Sequence, residues 1–213
     1  MPHFTRYFAG VAAAVAILLG AGAVSYTPPE DRTYPKPVPL RVSGLIGNSS
    51  GSVVPVSPEE AEGASYLPQS NVLRLPNGNL RYVPEGSEAP ATTAPGDPAA
   101  ISSADETRSW LASGDIPGAN AAEREIAARS LLNLRLLTTP EGASFAAVNE
   151  RWDYVWPRDA SFSAGAFAAA GHHEESYATL RFLADVQKDD GTWEARYYAD
   201  GSPVLDGRAP QLD

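Results

Sequence analysis

Cysteine is absent from the 213 residues of this chain. The protein therefore has no disulfide framework, no thiol nucleophile and no cysteine-ligated metal. If the chain is exported, its stability depends on its core alone, because no covalent cross-link can support it.

An excess of positive charge is also lacking, since the formal net charge is −10. This balance argues against nucleic acid or an anionic membrane surface as the main partner. The acids are concentrated in the second half, where residues 105–213 contain 18 of the 26 acidic and 10 of the 16 basic residues. Of the 19 prolines, 14 precede residue 105, whereas all four tryptophans follow it. The two halves therefore differ clearly in amino-acid composition.

One long apolar run lies near the start of the chain, at residues 7–24. His3 and Arg6 precede it, and Ala21-Gly-Ala23 fits a small-x-small cleavage site. The run also reaches the lower limit of about 18 residues for a membrane-spanning helix. We therefore predict that residues 1–25 are a cleaved signal peptide or an uncleaved membrane anchor, and that the rest is secreted or part of the cell envelope.

Residues 26–105 are rich in proline, glycine and serine and are predicted to be a linker. The segment 26–40 is typical of an extended spacer, and residues 41–70 show no sustained period. Near residues 71–83, two apolar stretches flank Asn77-Gly78, a strong signal for a β-hairpin turn. Residues 85–104 are predicted to be a loop.

Helical patterns dominate the second half. Asn120 and Glu123 have the spacing of a capping box, and apolar residues then recur near helical spacing until Pro140 and Gly142. The apolar positions of this helix are Ile126, Leu131, Leu134 and Leu137.

A second pair of helices is predicted after Pro157, which is suited to the first helical position. The first of them is so apolar, Phe162 included, that we expect it to be buried on most sides. A short turn containing His172 and His173, both predicted to be exposed, leads to a helix over residues 174–186. The fold class is predicted to be mainly α.

Residues 152–159 contain three large aromatic side chains directly before an Arg-Asp pair. Aromatic faces provide flat apolar platforms, and a guanidinium beside a carboxylate provides fixed donors and acceptors, which together suit a sugar ring. Asp159 also has a simpler interpretation, because a carboxylate in the first turn stabilises a helix by about 0.3–1 kcal/mol. The residues alone leave both interpretations open.

Several motifs in this half follow one another in register: Tyr154-Val-Trp-Pro-Arg-Asp159, Ala170-Gly-His172, Asp190-Gly-Thr-Trp193 and Arg208-Ala-Pro-Gln-Leu-Asp213. This series resembles the bacterial glucoamylase-type glycoside hydrolases, glycoside hydrolase family 15, which also includes glucodextranases and some trehalases. The resemblance implies an (α/α)6 toroid of helical hairpins around a central pocket. Residues 106–213 would then be the N-terminal part of such a catalytic domain.

The resemblance also implies roles for particular residues. Arg158 and Asp159 match the pair that hydrogen-bonds the hydroxyls of the innermost sugar, and Tyr154 and Trp156 match aromatics that line the same pocket. Three further matches lie nearer the rim of the pocket: Arg208, Gln211 and Asp213. We expect no cofactor and no bound metal.

An inverting glycosidase needs two carboxylates about 6.5–9.5 Å apart, one as general acid and one as general base. In the family both follow the loop that contains Asp213, so this chain is expected to be an inactive fragment of an exported, exo-acting α-glucan hydrolase. Its partner would be an α-glucan or oligosaccharide. Two alternatives stay open: a non-catalytic carbohydrate-binding or cell-envelope protein, and a membrane-anchored structural protein whose helices only pack.

Overall fold

The structure, a computed structural model, describes residues 44–149 and 152–209. The predicted signal or anchor segment and the extended spacer over residues 26–40 lie outside the described residues. Among the residues that are described, no helix is both long and apolar enough to cross a membrane.

Two small antiparallel sheets form the first part of the described chain. Strand β1 (Gly44–Gly47) pairs with β2 (Val53–Val56), and the one-turn helix α1 (Pro58–Ala61) follows. The second sheet has the order β3-β4-β5-β6. Its strands are β3 (Ser65–Tyr66), β4 (Leu73–Arg74), β5 (Leu80–Tyr82) and β6 (Ala91–Thr93).

The hairpin predicted near residues 71–83 is confirmed. Strands β4 and β5 are antiparallel, with Leu73 opposite Arg81. The Leu75 amide donates to the Asn79 carbonyl at 2.8 Å, and Gly78 has φ +86°. Glycine accepts this left-handed conformation without the strain that a Cβ would cause.

The predicted loop over residues 85–104 is wrong in two places, because it contains β6 and the start of helix α2 (Pro98–Ala112). The Asp97 side chain accepts hydrogen bonds from the amides of Ala99 and Ala100 and so caps the helix. Small residues Ala100 and Ala104 are fully buried against β5. Alanine is only weakly hydrophobic, so a buried face made of alanine gives little helical periodicity in the sequence. This explains why the start of the helix was predicted to be a loop.

Helix α2 spans the boundary that we predicted between a linker and a catalytic domain. The boundary between residues 105 and 106 falls inside this helix, and the residues on both sides of it belong to one compact unit. The assignment of residues 106–213 to a catalytic domain stays a prediction.

Helix α3 (Ala121–Leu136) begins where the capping pattern predicts. The Asn120 side chain accepts from the Glu123 amide at 3.0 Å, while Glu123 reaches back to the Ala119 amide at 2.7 Å. The helix buries Leu131 and Leu132 as part of the core, but Ile126, which we assigned to the apolar face, is 69% exposed.

Helices α4 (Pro157–Ala169) and α5 (His173–Asp185) pack against each other as the predicted hairpin. Phe167 and Phe182 are buried between neighbouring elements. Two expectations were wrong: Phe162 is 66% exposed, and His172 is buried at 3% exposure because its ring stacks on Trp110. Helices outweigh strands in the described residues, as predicted, but they do not show a closed (α/α)6 toroid.

Candidate functional site

Two chain segments meet where the aromatic residues of the predicted site lie. Val155 and Tyr197 exchange both backbone hydrogen bonds, at 2.9 and 2.8 Å, and both side chains are buried. Tyr197 also forms a bridge with Pro203. These pairings bring residues 152–156 beside residues 196–206, which local sequence patterns alone could not predict.

Arg196 contacts residues from both of these segments. Its guanidinium carbon lies 4.0 Å from the centroid of the Tyr154 ring and 5.4 Å from that of Trp156. Its Nη2 donates to Asp206 Oδ2 at 2.6 Å, and the whole residue is only 8% exposed. We predicted no role for Arg196. The available signal was a cation directly before two tyrosines, Tyr197 and Tyr198.

Asp206 is shared by two arginines. Arg208 Nε lies 3.0 Å from the same Oδ2, and its guanidinium carbon lies 5.8 Å from the centroid of the Trp156 ring. Burial acts to raise the pKa of Asp206, but the hydrogen bonds from Arg196 and the Arg208 amide, with both positive charges, lower it below the ordinary value. Asp206 is therefore ionised and fixes both cations against the aromatic rings.

Two further aromatic rings extend the group outwards. The Trp152 centroid is 6.0 Å from that of Trp156, and the Tyr198 centroid is 5.6 Å from that of Tyr154. We call the whole set the aromatic–arginine cluster. Its members are Trp152, Tyr154, Trp156, Arg196, Tyr198, Asp206 and Arg208.

Arg158 and Asp159 follow the cluster directly in the chain, in the first turn of α4. Pro157 occupies the first helical position after the extended residue Trp156, so Asp159 lies at the positive end of the helix, as predicted. Arg158 Nε and Asp159 Oδ2 are 3.9 Å apart, and the side chains are 38% and 46% exposed. An exposed contact at this distance contributes little to stability.

The structure thus brings Tyr154 and Trp156 against Arg196, and it brings Arg208 against Trp156 and against Asp206, the partner of Arg196. Arg158 and Asp159 adjoin them in the chain, whereas Gln211 and Asp213 lie outside the described residues. Among the described residues, no group of three or more acidic, histidine or cysteine side chains has the arrangement of a metal site.

Two buried donors in the cluster have no hydrogen-bond acceptor within the described part of the chain. They are Trp156 Nε1 and Arg196 Nε. Buried polar groups are nearly always satisfied, by protein, by water or by a ligand. The cluster therefore offers more donors than its own residues use.

Two cavities lie elsewhere. One, of about 180 Å³, is bounded by the β1–β2 turn, the end of α3 and the start of α5, with Arg135 and Glu175 in its wall. The other, of about 450 Å³, lies between Tyr66, Gln69 and α3. Neither contains a residue of the predicted site.

Comparison with known proteins gives a partial match. Over 82 residues, or 38% of this chain, the sequence is 33% identical to a protein of Methanocaldococcus jannaschii named uncharacterized glycosyl hydrolase MJ1610. The matched region is 13% of that protein's length, so the chain spans only a small part of the relative. No protein-family model matches the chain, and no solved structure matches it. The comparison thus supports a similarity to glycosyl hydrolases in general.

Proposed function

We propose that this chain is part of an exported glycoside hydrolase and that the aromatic–arginine cluster, with Arg158 and Asp159, binds its sugar substrate. The finer proposal is an exo-acting, inverting α-glucan hydrolase of the glucoamylase type. Export rests on residues 7–24, which lie outside the described residues. We assign no acid or base role to any residue of this chain.

The observation that supports sugar binding best is the contact of Arg196 with Tyr154 and Trp156. A sugar ring has an apolar C–H face and a rim of hydroxyl groups, so it needs flat apolar surfaces beside fixed donors and acceptors. The cluster combines both: aromatic rings, and guanidinium groups whose direction is set by Asp206. Side chains locked in this way lose little conformational freedom when a ligand binds.

Arg158 and Asp159, which follow Trp156 and Pro157 in the chain, supply two partly exposed charged groups. A carboxylate accepts hydrogen bonds from sugar hydroxyls, and the arginine donates to their oxygens. The position of Asp159 at the start of α4 is compatible with this role, because the helix N-terminus favours a negatively charged side chain there.

The test is sugar binding by the full 213-residue chain, measured by isothermal titration calorimetry with glucose and maltose. Asp159→Asn removes the charge while keeping the shape, and we expect it to weaken binding at least about tenfold, or ~1.4 kcal/mol. Glu174→Gln is the matched control, because Glu174 is also an acid in the first turn of a helix but lies in the wall of the cavity of about 180 Å³, which contains no residue of the proposed site.

Equal binding by wild type and Asp159→Asn would show that the carboxylate serves only the helix. Absence of binding of either sugar to the wild-type chain would contradict the proposed function as a whole. Far-ultraviolet circular dichroism of each variant checks that α4 is intact.

A further inference from the structure

The larger of the two cavities, of about 450 Å³, lies between the loop that contains Gln69 and helix α3. Its volume falls within the range of about 300–1,000 Å³ that is common for small-molecule sites. The wall combines apolar side chains with a flat cation and a free amide. The apolar side chains are Leu67, Ile126 and Leu132. No described residue of this wall belongs to the aromatic–arginine cluster, so binding here is independent of the proposed sugar site.

Gln69, in this wall, has a strained backbone conformation. Among residues 44–149 and 152–209 it is the one residue other than glycine with a positive φ, at +53°. It is the third residue of a turn closed by the Ser70 amide, which donates to the Leu67 carbonyl at 3.2 Å. A turn whose third residue needs a positive φ favours glycine or asparagine there, because most other side chains are strained. The Gln69 side chain makes no hydrogen bond with another described residue that would offset this strain.

Arg129 brings a positive charge into the same wall in a fixed orientation. Its guanidinium carbon lies 4.2 Å from the centroid of the Tyr66 ring. Nη1 donates to the Ser70 carbonyl at 2.8 Å and Nη2 to Asn71 Oδ1 at 2.6 Å, while the buried Nε has no acceptor within the described part of the chain. Glu125, one turn earlier on α3, adds a negative charge. Because an ion of either sign would meet a like charge, this wall favours an uncharged ligand.

The shape of the wall suits a flat molecule. The Tyr66 ring and the Arg129 guanidinium are both planar and lie one over the other, and aromatic rings stack favourably on both kinds of group. Ile126 is 69% exposed and lines the cavity with the buried side chains of Leu67 and Leu132. A ligand that covers Ile126 removes apolar area from water.

We propose that this cavity binds a neutral, planar aromatic molecule that carries both a hydrogen-bond donor and an acceptor. The Gln69 amide offers donors and an acceptor to these groups, and the Glu125 carboxylate offers a further acceptor. Ile126 covers the ring. The strain at Gln69 then has a physical reason, because the glutamine side chain has a binding role that glycine could not fulfil.

Ligand-observed NMR on the full 213-residue chain measures dissociation constants for benzamide and for three relatives that each change one property. Benzoate is an anion, benzylamine is a cation, and cyclohexanecarboxamide keeps the amide without the flat ring. We expect benzamide to bind at least about fivefold more tightly than each of them. Changes in the backbone amide signals of the protein should be concentrated at residues 66–70 and 125–132.

Two variants test the wall. Gln69→Gly should weaken benzamide binding about fivefold without lowering the melting temperature, because glycine accepts the positive φ but lacks the amide. Ile126→Ser should weaken binding by a similar factor, because it removes an apolar side chain that covers the ring. Ile101→Ser is the matched control, since Ile101 is a partly exposed isoleucine on α2, and it should leave benzamide binding unchanged.

Equal binding by wild type and both wall variants would place benzamide elsewhere and overturn the inference, and so would failure of benzamide to bind wild type. Tighter binding of benzoate or benzylamine would show that the cavity selects an ion, and equal binding of cyclohexanecarboxamide would show that it needs no aromatic ring. Either result would also overturn the inference. Concentration-dependent dimerisation that Ile126→Ser abolishes would assign this surface to a second copy of the chain and overturn it as well. None of these outcomes bears on sugar binding.

Discussion

Arg196 lies with its guanidinium 4.0 Å from the Tyr154 ring centroid while its Nη2 donates to Asp206 at 2.6 Å. This one side chain joins residues from two distant segments and leaves its own charge almost completely buried. Its role is therefore to hold the two aromatic rings and the Asp206 carboxylate beside one another.

Replacing Arg196 with alanine should destabilise the protein. The variant loses a cation–π contact and a charge-assisted hydrogen bond in a nearly buried position, so we expect the free energy of unfolding to fall by about 2 kcal/mol. Urea denaturation followed by tryptophan fluorescence measures this. Arg208→Ala is the control at the same carboxylate, and its effect should be smaller because the Arg208 side chain is 54% exposed. Equal losses in the two variants would contradict the central position of Arg196.

His172 should make stability depend on pH. Burial, reinforced by the charges of Arg135 and His173 and opposed by Glu175, lowers the pKa of His172 below its ordinary value of 6.5. The unfolded chain then binds the proton more readily than the native one, so this contribution is complete above about pH 6.5 and is lost as pH falls towards the native pKa. Thermal unfolding of wild type should show the melting temperature decreasing between pH 7.5 and pH 5.

The variant His172→Phe should flatten this dependence, since phenylalanine can still stack on Trp110 but takes up no proton. His173→Asn is the matched control and should keep most of the wild-type slope, because the charge of His173 is the smallest of the causes that act on the pKa of His172. If His172→Phe and wild type lose stability in parallel, another group is responsible.

Local signals explain which parts of the fold could be predicted. The Asn77-Gly78 turn, the Asn120 cap and Pro157 each act within a few residues, and the structure has the corresponding elements at those places. Helix α2 has the same kind of signal in Asp97 and Pro98, but its small buried alanines did not give a period strong enough to support it.

The remaining features depend on contacts between distant segments. Arg196 joins the candidate site only because Val155 pairs with Tyr197, and His172 is buried only because Trp110 of α2 stacks on it. Neither contact can be predicted from the pattern of neighbouring residues in the sequence. The predicted residues Tyr154, Trp156 and Arg208 do lie together, but the residue that joins them was missing from the prediction.

Tyr66 should be important for holding β1 to the rest of the structure. Its hydroxyl accepts from the Leu45 amide at 2.9 Å and donates to the Leu45 carbonyl at 2.7 Å. Leu45 is 7% exposed, so Tyr66→Phe leaves two poorly hydrated backbone groups unpaired and should cost about 1–3 kcal/mol. Hydrogen exchange should show faster exchange at Leu45. Tyr177→Phe, at a tyrosine that is 62% exposed, is the control and should leave stability and exchange unchanged.

Gly142 should tolerate no side chain. Its φ of +97° strains any other residue, and an added Cβ would lie 2.1 Å from the Ala178 carbonyl oxygen of α5. Because that oxygen belongs to helix backbone, relief requires α5 to move, and Gly142→Ala should cost about 2–4 kcal/mol. Gly165→Ala within α4 is the matched control: a Cβ there meets nothing within 4 Å, so the gain in helix propensity should stabilise the protein by about 0.5–1 kcal/mol. Denaturant unfolding of the two variants should therefore show changes of opposite sign, and a Gly142→Ala variant as stable as wild type would mean that the chain does not approach α5 this closely.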